Sequence, residues 1–237
     1  YGQTYKYIGV EDGLSNRRIY NIQKDRQGYM WFLTNEGMDR YNGQDIKHYK
    51  LIEANRELNS DIDLGWLYAD KKGGIWVIGR KGRIFQYEEK YDRFKMIYKL
   101  PEATDVISYG YLDRNSNIWL CNDSILLYNT ETAQTLQFPN VLDENITVVE
   151  QADDTHFFVA TEMGVRYTQL NKGALHIIPF ETLDNVYTQI NGLYYHRQLQ
   201  RLFIGTFSDG TFAYDMSTQQ IIKPDTALGD VSITHIR

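Results

Sequence analysis

Three aspartates stand six residues ahead of a tryptophan: Asp25 before Trp31, Asp70 before Trp76 and Asp113 before Trp119. Paired carboxylates are the working groups of glycoside hydrolysis, one as acid and the other as base or nucleophile, so acidic residues at a fixed spacing raise that chemistry first. The surroundings argue for another use. Asp25 opens the polar run Asp25-Arg26-Gln27-Gly28, where an aspartate hydrogen-bonds its own turn backbone. An identical spacing to the aromatic predicts the same turn in three places.

Other chemistry is not signalled. The histidines, His48, His156, His176, His196 and His235, are scattered and show no short metal-ligand spacing. There is no nucleophile elbow, phosphate loop or zincin motif, so neither a metal nor a cofactor is expected. Cys121 follows Trp119 and Leu120 on an apolar run and reads as a buried packing residue; being alone, it excludes an intrachain disulfide. A formal charge of -6 with no basic stripe argues against nucleic acid. No run of about 18 apolar residues and no leading signal peptide is present, so this stretch is expected neither to cross a membrane nor to carry its own export address. The sequons at Asn122 and Asn145 matter only where a cell glycosylates them.

The elements that must position any site are set by a repeat. Two spaced apolar residues, a polar turn, an aromatic-centred strand, a further turn and a strand ending in Tyr recur at 19–41, 64–87, 107–128, 146–167 and 190–214. Anchored on Trp31, Trp76, Trp119, Phe158 and Phe203, the copies are 45, 43, 39 and 45 residues apart, the period of a four-stranded propeller blade. In the first copy Ile19 and Ile22 mark an inner strand, Tyr29 to Thr34 a second, Met38 to Tyr41 a third and Asp45 to Tyr49 an outer one, with Asn42-Gly43 at a hairpin. The recurring aromatics, and Tyr41, Tyr87, Tyr128, Tyr167 and Tyr214 in register with them, are expected to fill the space between sheets. The aromatic content is therefore no evidence for a sugar platform.

The fold expected is all-β: a β-propeller of four-stranded antiparallel blades at about 11–50, 59–98, 102–138, 143–180 and 185–222, with a sixth beginning near 230. Thr4 to Val10 is expected to close the ring as an outer strand, and Ile233 and Ile236 repeat the spacing of Ile19 and Ile22. Seven blades need roughly 300 residues, so the chain reads as a fragment of a seven-bladed propeller whose open edges invite self-association.

Residues 7–49, with Glu11 to Asn16, Asp25, Gly28, Trp31, Thr34 and Gly37, closely resemble the two-component regulator propeller repeat. Its hallmark is an EDGLS-N entry followed by D-x-x-G-x-hydrophobic-W-x-x-T-x-x-G. The likeness is strong in the first copy and good in the second and third. It weakens in the fourth, where Phe158 replaces Trp, and in the fifth, where His196 to Gln200 stands in place of the acidic turn. The resemblance implies the periplasmic sensor region of a hybrid two-component histidine kinase anchored in the inner membrane, with two seven-bladed propellers and a β-sandwich ahead of a membrane helix. Kinase, receiver and DNA-binding parts lie inside the cell in such proteins. It also implies an oligosaccharide ligand, signal transduction through a phosphorelay, and the remaining blades and a second propeller as partners.

A ligand is expected at the loops entering the inner strands and those following the aromatic strands, because polar loops that vary on a fixed scaffold are where recognition resides. The candidates are Asn16, Arg17, Arg80, Lys81, Asn122, Asp123, Glu162, Ser208 and Asp209. No residue is assigned a catalytic role. Two other classes stay open: a propeller glycoside hydrolase or lyase, which needs two acidic side chains facing one pocket, and a protein-interaction scaffold, which needs a broad exposed apolar face.

Overall fold

The structure, a computed structural model, describes residues 6–53, 56–57, 64–101, 106–179, 189–207 and 209–222. It contains five four-stranded antiparallel sheets in sequence order, each a β-propeller blade. Blade one is Ile19–Lys24 (β1), Met30–Thr34 (β2), Gly37–Tyr41 (β3) and Ile46–Tyr49 (β4). A short ladder, Ile52–Glu53 (β5) with Arg56–Glu57 (β6), follows it. Blade two is Leu64–Ala69 (β7), Ile75–Gly79 (β8), Arg83–Glu88 (β9) and Arg93–Lys99 (β10); blade three is Tyr109–Leu112 (β11), Asn117–Cys121 (β12), Ser124–Asn129 (β13) and Thr135–Pro139 (β14). Blade four is Ile146–Gln151 (β15), His156–Thr161 (β16), Gly164–Asn171 (β17) and Ala174–Ile178 (β18), and blade five is Ile190–His196 (β19), Arg201–Thr206 (β20), Thr211–Asp215 (β21) and Gln220–Ile222 (β22). Compact units are formed by residues 1–112 and 113–237.

The five anchored copies thus each supply one sheet. Thr4 and Tyr5 lie outside the described residues; Lys6 to Gly9 carry no strand and Val10 opens a 3-10 turn ending at Asp12. The expected sixth start, with Ile233 and Ile236, also lies outside them.

Within the first unit, Trp31 is fully buried because the rings of the next sheet close over it, Tyr87 at 4.7 Å and Phe94 at 5.6 Å between centroids. Edge-on packing of this kind suits the ring quadrupoles. Arg40 lies over Tyr29, Trp31, Tyr49 and Tyr87 at 5.0, 5.4, 5.3 and 5.6 Å, and Asp92 neutralises it at 3.3 Å while accepting the Tyr49 and Tyr87 hydroxyls at 2.6 and 2.5 Å. Asp92 sits in the left-handed region at φ 49°, which an aspartate tolerates better than most residues. Blade two is packed so closely on blade one that a Cβ on Gly73 would stand 2.5 Å from the backbone nitrogen of Arg26.

Within the second unit, Trp119 packs on Phe157 at 4.7 Å and Phe158 on Tyr195 at 5.3 Å, and all three of Trp119, Phe157 and Phe158 are fully buried. Phe203, expected to match them, is only half-buried. The reason is local: its ring partner is Tyr194 of its own sheet, at 6.3 Å, and no ring of another sheet covers it among the described residues. The terminal tyrosines also differ in burial, Tyr128 and Tyr214 being buried while Tyr41, Tyr87 and Tyr167 stay partly open.

Candidate functional site

At one end of the blades the repeated aspartates are fully committed. Asp25 Oδ2 accepts the Trp31 indole N–H at 2.8 Å, and Asp70 and Asp113 accept those of Trp76 and Trp119 at 2.9 Å. The other carboxylate oxygen accepts two turn amides: Gln27 and Tyr29 at 2.9 Å for Asp25, Lys72 and Gly74 at 2.8 and 2.7 Å for Asp70, and Asn115 and Asn117 at 2.8 Å for Asp113. A carboxylate holding three donors is a structural fastener. Blade four, which lacks the indole, has Ala152 six residues before Phe158 and moves its turn aspartate to Asp153, which accepts the Thr155 and His156 amides at 2.9 Å. Burial alone would raise the Asp153 pKa, but these amides and His156 outweigh it and bring it down to about 2.

At the opposite end the aromatic strand finishes in a second repeated device. Thr34, Thr161 and Thr206 are buried, and their hydroxyls lie 3.2, 3.5 and 2.8 Å from the carbonyls of Gly37, Gly164 and Gly210. They accept the amides of Glu36, Met163 and Asp209 at 3.1, 3.1 and 2.9 Å. In blade one the entry loop is tied to the same point. Ser15 Oγ lies 2.8 Å from Thr34 Oγ1 and donates to Asp39 at 2.8 Å, and His48 Nδ1 donates to the other Asp39 oxygen at 2.7 Å. Serine and histidine share the buried aspartate and do not form a serine-to-histidine relay. The inner strands of blades one, two, four and five also carry a register shift beside their first residue, and a bulge re-aims the chain at a rim.

Fixed hairpins and entry loops build the candidate site in the second unit. Asn122 and Asp123 turn β12 into β13, Glu162 and Met163 turn β16 into β17, and the loop from β14 into β15 brings Asn140, Asp143, Glu144 and Asn145. Together they line an open cleft of about 370 Å³, within the range of small-molecule sites. The Asn140 side chain braces the loop, donating to the carbonyls of Asn122 at 3.2 Å and Glu144 at 2.9 Å, and the Asn140 backbone N–H donates to the Asp123 carbonyl at 3.0 Å. Thr161 Oγ1 donates to the Glu144 carboxylate, which fills the place that Ser15 holds beside Thr34. The wall thus presents amides and carboxylates with one thioether, groups that exchange hydrogen bonds with hydroxyls.

The structure brings together three predicted residues, Asn122, Asp123 and Glu162. Asn16, Arg17, Arg80 and Lys81 lie in the first unit, at the corresponding ends of blades one and two. There Asn16 caps its own loop by accepting the Arg18 amide at 2.8 Å, and Arg80 lies over Trp66 at 5.5 Å. Asp209 is exposed and does not line the cleft, and Ser208 lies outside the described residues. The β14–β15 loop residues were missed, although Asp143-Glu144-Asn145 immediately precedes the inner-strand pattern and so fits the entry-loop rule that selected Asn16 and Arg17. Cys121 is buried, and burial pushes its thiol well above the ordinary range, as expected of a packing residue. No helix among the described residues is long and apolar enough to cross a membrane.

Comparison with known proteins fits this geometry. No curated protein matches the chain. The extracellular domain of the hybrid two component system BT3049 from B. thetaiotaomicron is 20% identical over 92% of this chain and 31% of its own, with a TM-score of 0.69. That of the one component system BT4673 from the same organism is 17% identical over 94% and 31%, with a TM-score of 0.70. Virginiamycin B lyase from Staphylococcus aureus is 14% identical over 92% and 73%, at 0.69. At such identities the likeness establishes the fold, and the chain spans 31% of the length of the first two. Residues 13–36, which hold Ser15, the Asp25–Trp31 fastener and Thr34, match the family of the two component regulator propeller. That match falls on the entry loop, β1 and β2 of the first blade.

Proposed function

We propose that this chain is a non-catalytic part of the periplasmic sensor region of a hybrid two-component system histidine kinase, and that it binds oligosaccharides for signal transduction. The observation that carries the reading is the match of residues 13–36 to the two component regulator propeller. The likeness of the whole array to extracellular domains of two-component and one-component systems supports it. The cleft between Asn122 and Glu162 supplies the chemistry: carboxylates and amides on braced loops accept and donate to adjacent hydroxyls without needing a metal or a nucleophile. The remaining blades, a second propeller and the kinase belong to the parent protein in this reading.

Titration calorimetry with a panel of neutral oligosaccharides tests it. Binding that falls at least tenfold in Asp123→Ala or Glu162→Ala, with unchanged far-ultraviolet dichroism, supports the reading. Release of shorter products, abolished by Glu144→Gln, would make the chain a hydrolase or lyase instead.

A further inference from the structure

Among the described residues of the first unit, four arginines pair with carboxylates. Arg26 pairs with Glu89 at 2.8 Å, Arg40 with Asp92 at 3.3 Å, Arg83 with Glu53 at 2.5 Å and Arg93 with Glu88 at 3.1 Å. Arg80 is exposed and has no carboxylate partner among the described residues; its guanidinium instead lies over the indole of Trp66 at 5.5 Å. Its backbone is held as well, the carbonyl accepting the Ile107 amide at 2.7 Å.

The platform under Arg80 is built by two glycines. Gly65 leaves room for its stem, since a Cβ there would stand 3.3 Å from Arg80 Cγ. Gly110 lets β11 lie against the indole, where a Cβ would meet Trp66 Cε3 at 2.7 Å. Tyr109 then meets the Trp66 ring edge-on at 5.5 Å and 70°. Trp31, Trp76 and Trp119 are buried and fastened to aspartates, whereas Trp66 is only half-buried and carries a cation.

We infer that Arg80, held over Trp66 beside Tyr109, is an anion-reading subsite for an acidic sugar, taking a uronate carboxylate or a sulfate ester through the guanidinium fork. This rests on the saccharide reading above but names a different place and a charged class of ligand. Three physical points carry it. A guanidinium matches planar oxyanions bidentately and is weakly hydrated, so it gives up water readily. Attraction to the indole face restricts the side chain before the ligand arrives, which lowers the ordering cost of binding. Among the described residues no carboxylate pairs with Arg80, so an oxyanion from a ligand displaces no ion pair there.

The test titrates the full chain with trigalacturonate, its fully methyl-esterified form and a sulfated trisaccharide, following tryptophan fluorescence and calorimetry. The expected result is binding of an acidic probe that weakens with salt, is at least tenfold weaker for the methyl ester, and falls at least tenfold in Arg80→Gln. Arg80→Lys should recover only part of it, because the charge returns without the fork, and Trp66→Phe should remove the fluorescence change. Trigalacturonate alone binding identifies a carboxylate site, and the sulfated probe alone a sulfate site. Equal binding of acid and ester, unchanged binding in Arg80→Gln, or no acidic probe bound would overturn the inference. Neutral oligosaccharides sensitive to Glu162→Ala would leave the sensor reading standing in each case, which separates the two failures.

Discussion

Removing Asp113 and Trp119 together should cost less than the two single changes added. In Asp113→Ala the Trp119 indole N–H, donating at 2.9 Å from a fully buried ring, has no water to turn to. That unsatisfied donor costs about 1–3 kcal/mol. Asn115 and Asn117 also lose a charged acceptor at 2.8 Å, but they sit in a partly open turn that water reaches, so about 1–2 kcal/mol more is expected. In Trp119→Phe the donor is gone and Asp113 keeps Asn117, so a following Asp113→Ala costs only the turn part. The coupling is then about 2 kcal/mol. Blade four carries Phe158 and Ala152 at the matching places, with Asp153 taking over the turn amides. Urea unfolding of the four proteins of the cycle, with hydrogen exchange at β12 amides, measures it. Additivity within about 0.5 kcal/mol would refute the fastener argument.

Asp92 gives a pH signature. Burial on its own would raise its pKa, but Lys47, Tyr49, Tyr87 and Arg40 together hold it well below the usual carboxylate range, so its contribution to stability is present above the unfolded value near 4. The contribution is lost as pH falls below that, and Asp92→Asn should flatten the acid limb of a plot of urea midpoint against pH; a limb as steep as in the parent would exclude this network as its source. Gly110→Ala should push a methyl to within 2.7 Å of Trp66 and 2.8 Å of Ile78, lowering stability by about 1–3 kcal/mol and changing Trp66 emission, whereas an unchanged spectrum would mean that β11 shifts freely.

The fold was legible because each strand pattern answers to a force that acts within one copy. The apolar positions bracketing Trp31 or Trp119 alternate at the strand period, and the polar runs between them are turns by composition. Legibility failed where a neighbouring sheet decides the outcome. Phe203 occupies the same register as Phe158, yet its exposure depends on what lies across from it. Composition alone marks Asp25 as a turn residue, but its bond to the Trp31 indole follows from the six-residue spacing only once strand direction is known. The cleft shows the same limit: Asn122 and Glu162 belong to different copies, and no local pattern says that their hairpins share a wall with Glu144.

The two repeated devices explain why the hairpin tips can differ from blade to blade without loss of the scaffold. The aspartate fastener works from one end of the strand and the threonine latch from the other, so the hairpin between β2 and β3 or between β16 and β17 is fixed by buried hydroxyls whatever its tip residues are. The tip is then free to vary. Blade one presents Asn35 and Glu36 there, blade two Arg80 and Lys81, and blade four Glu162 and Met163. Where the latch threonine is absent, other anchors replace it: β8 ends in Gly79, whose carbonyl accepts the Gly82 amide at 3.0 Å, and the Asn122 amide donates to Ser124 at 3.0 Å. Charge at the tips therefore carries little of the folding energy, since exposed charges contribute little to stability. Substitutions at Arg80, Asp123 or Glu162 should accordingly alter ligand affinity while leaving the urea midpoint within measurement error, and a midpoint shift as large as that of Asp113→Ala would show that these side chains hold the fold and not the ligand.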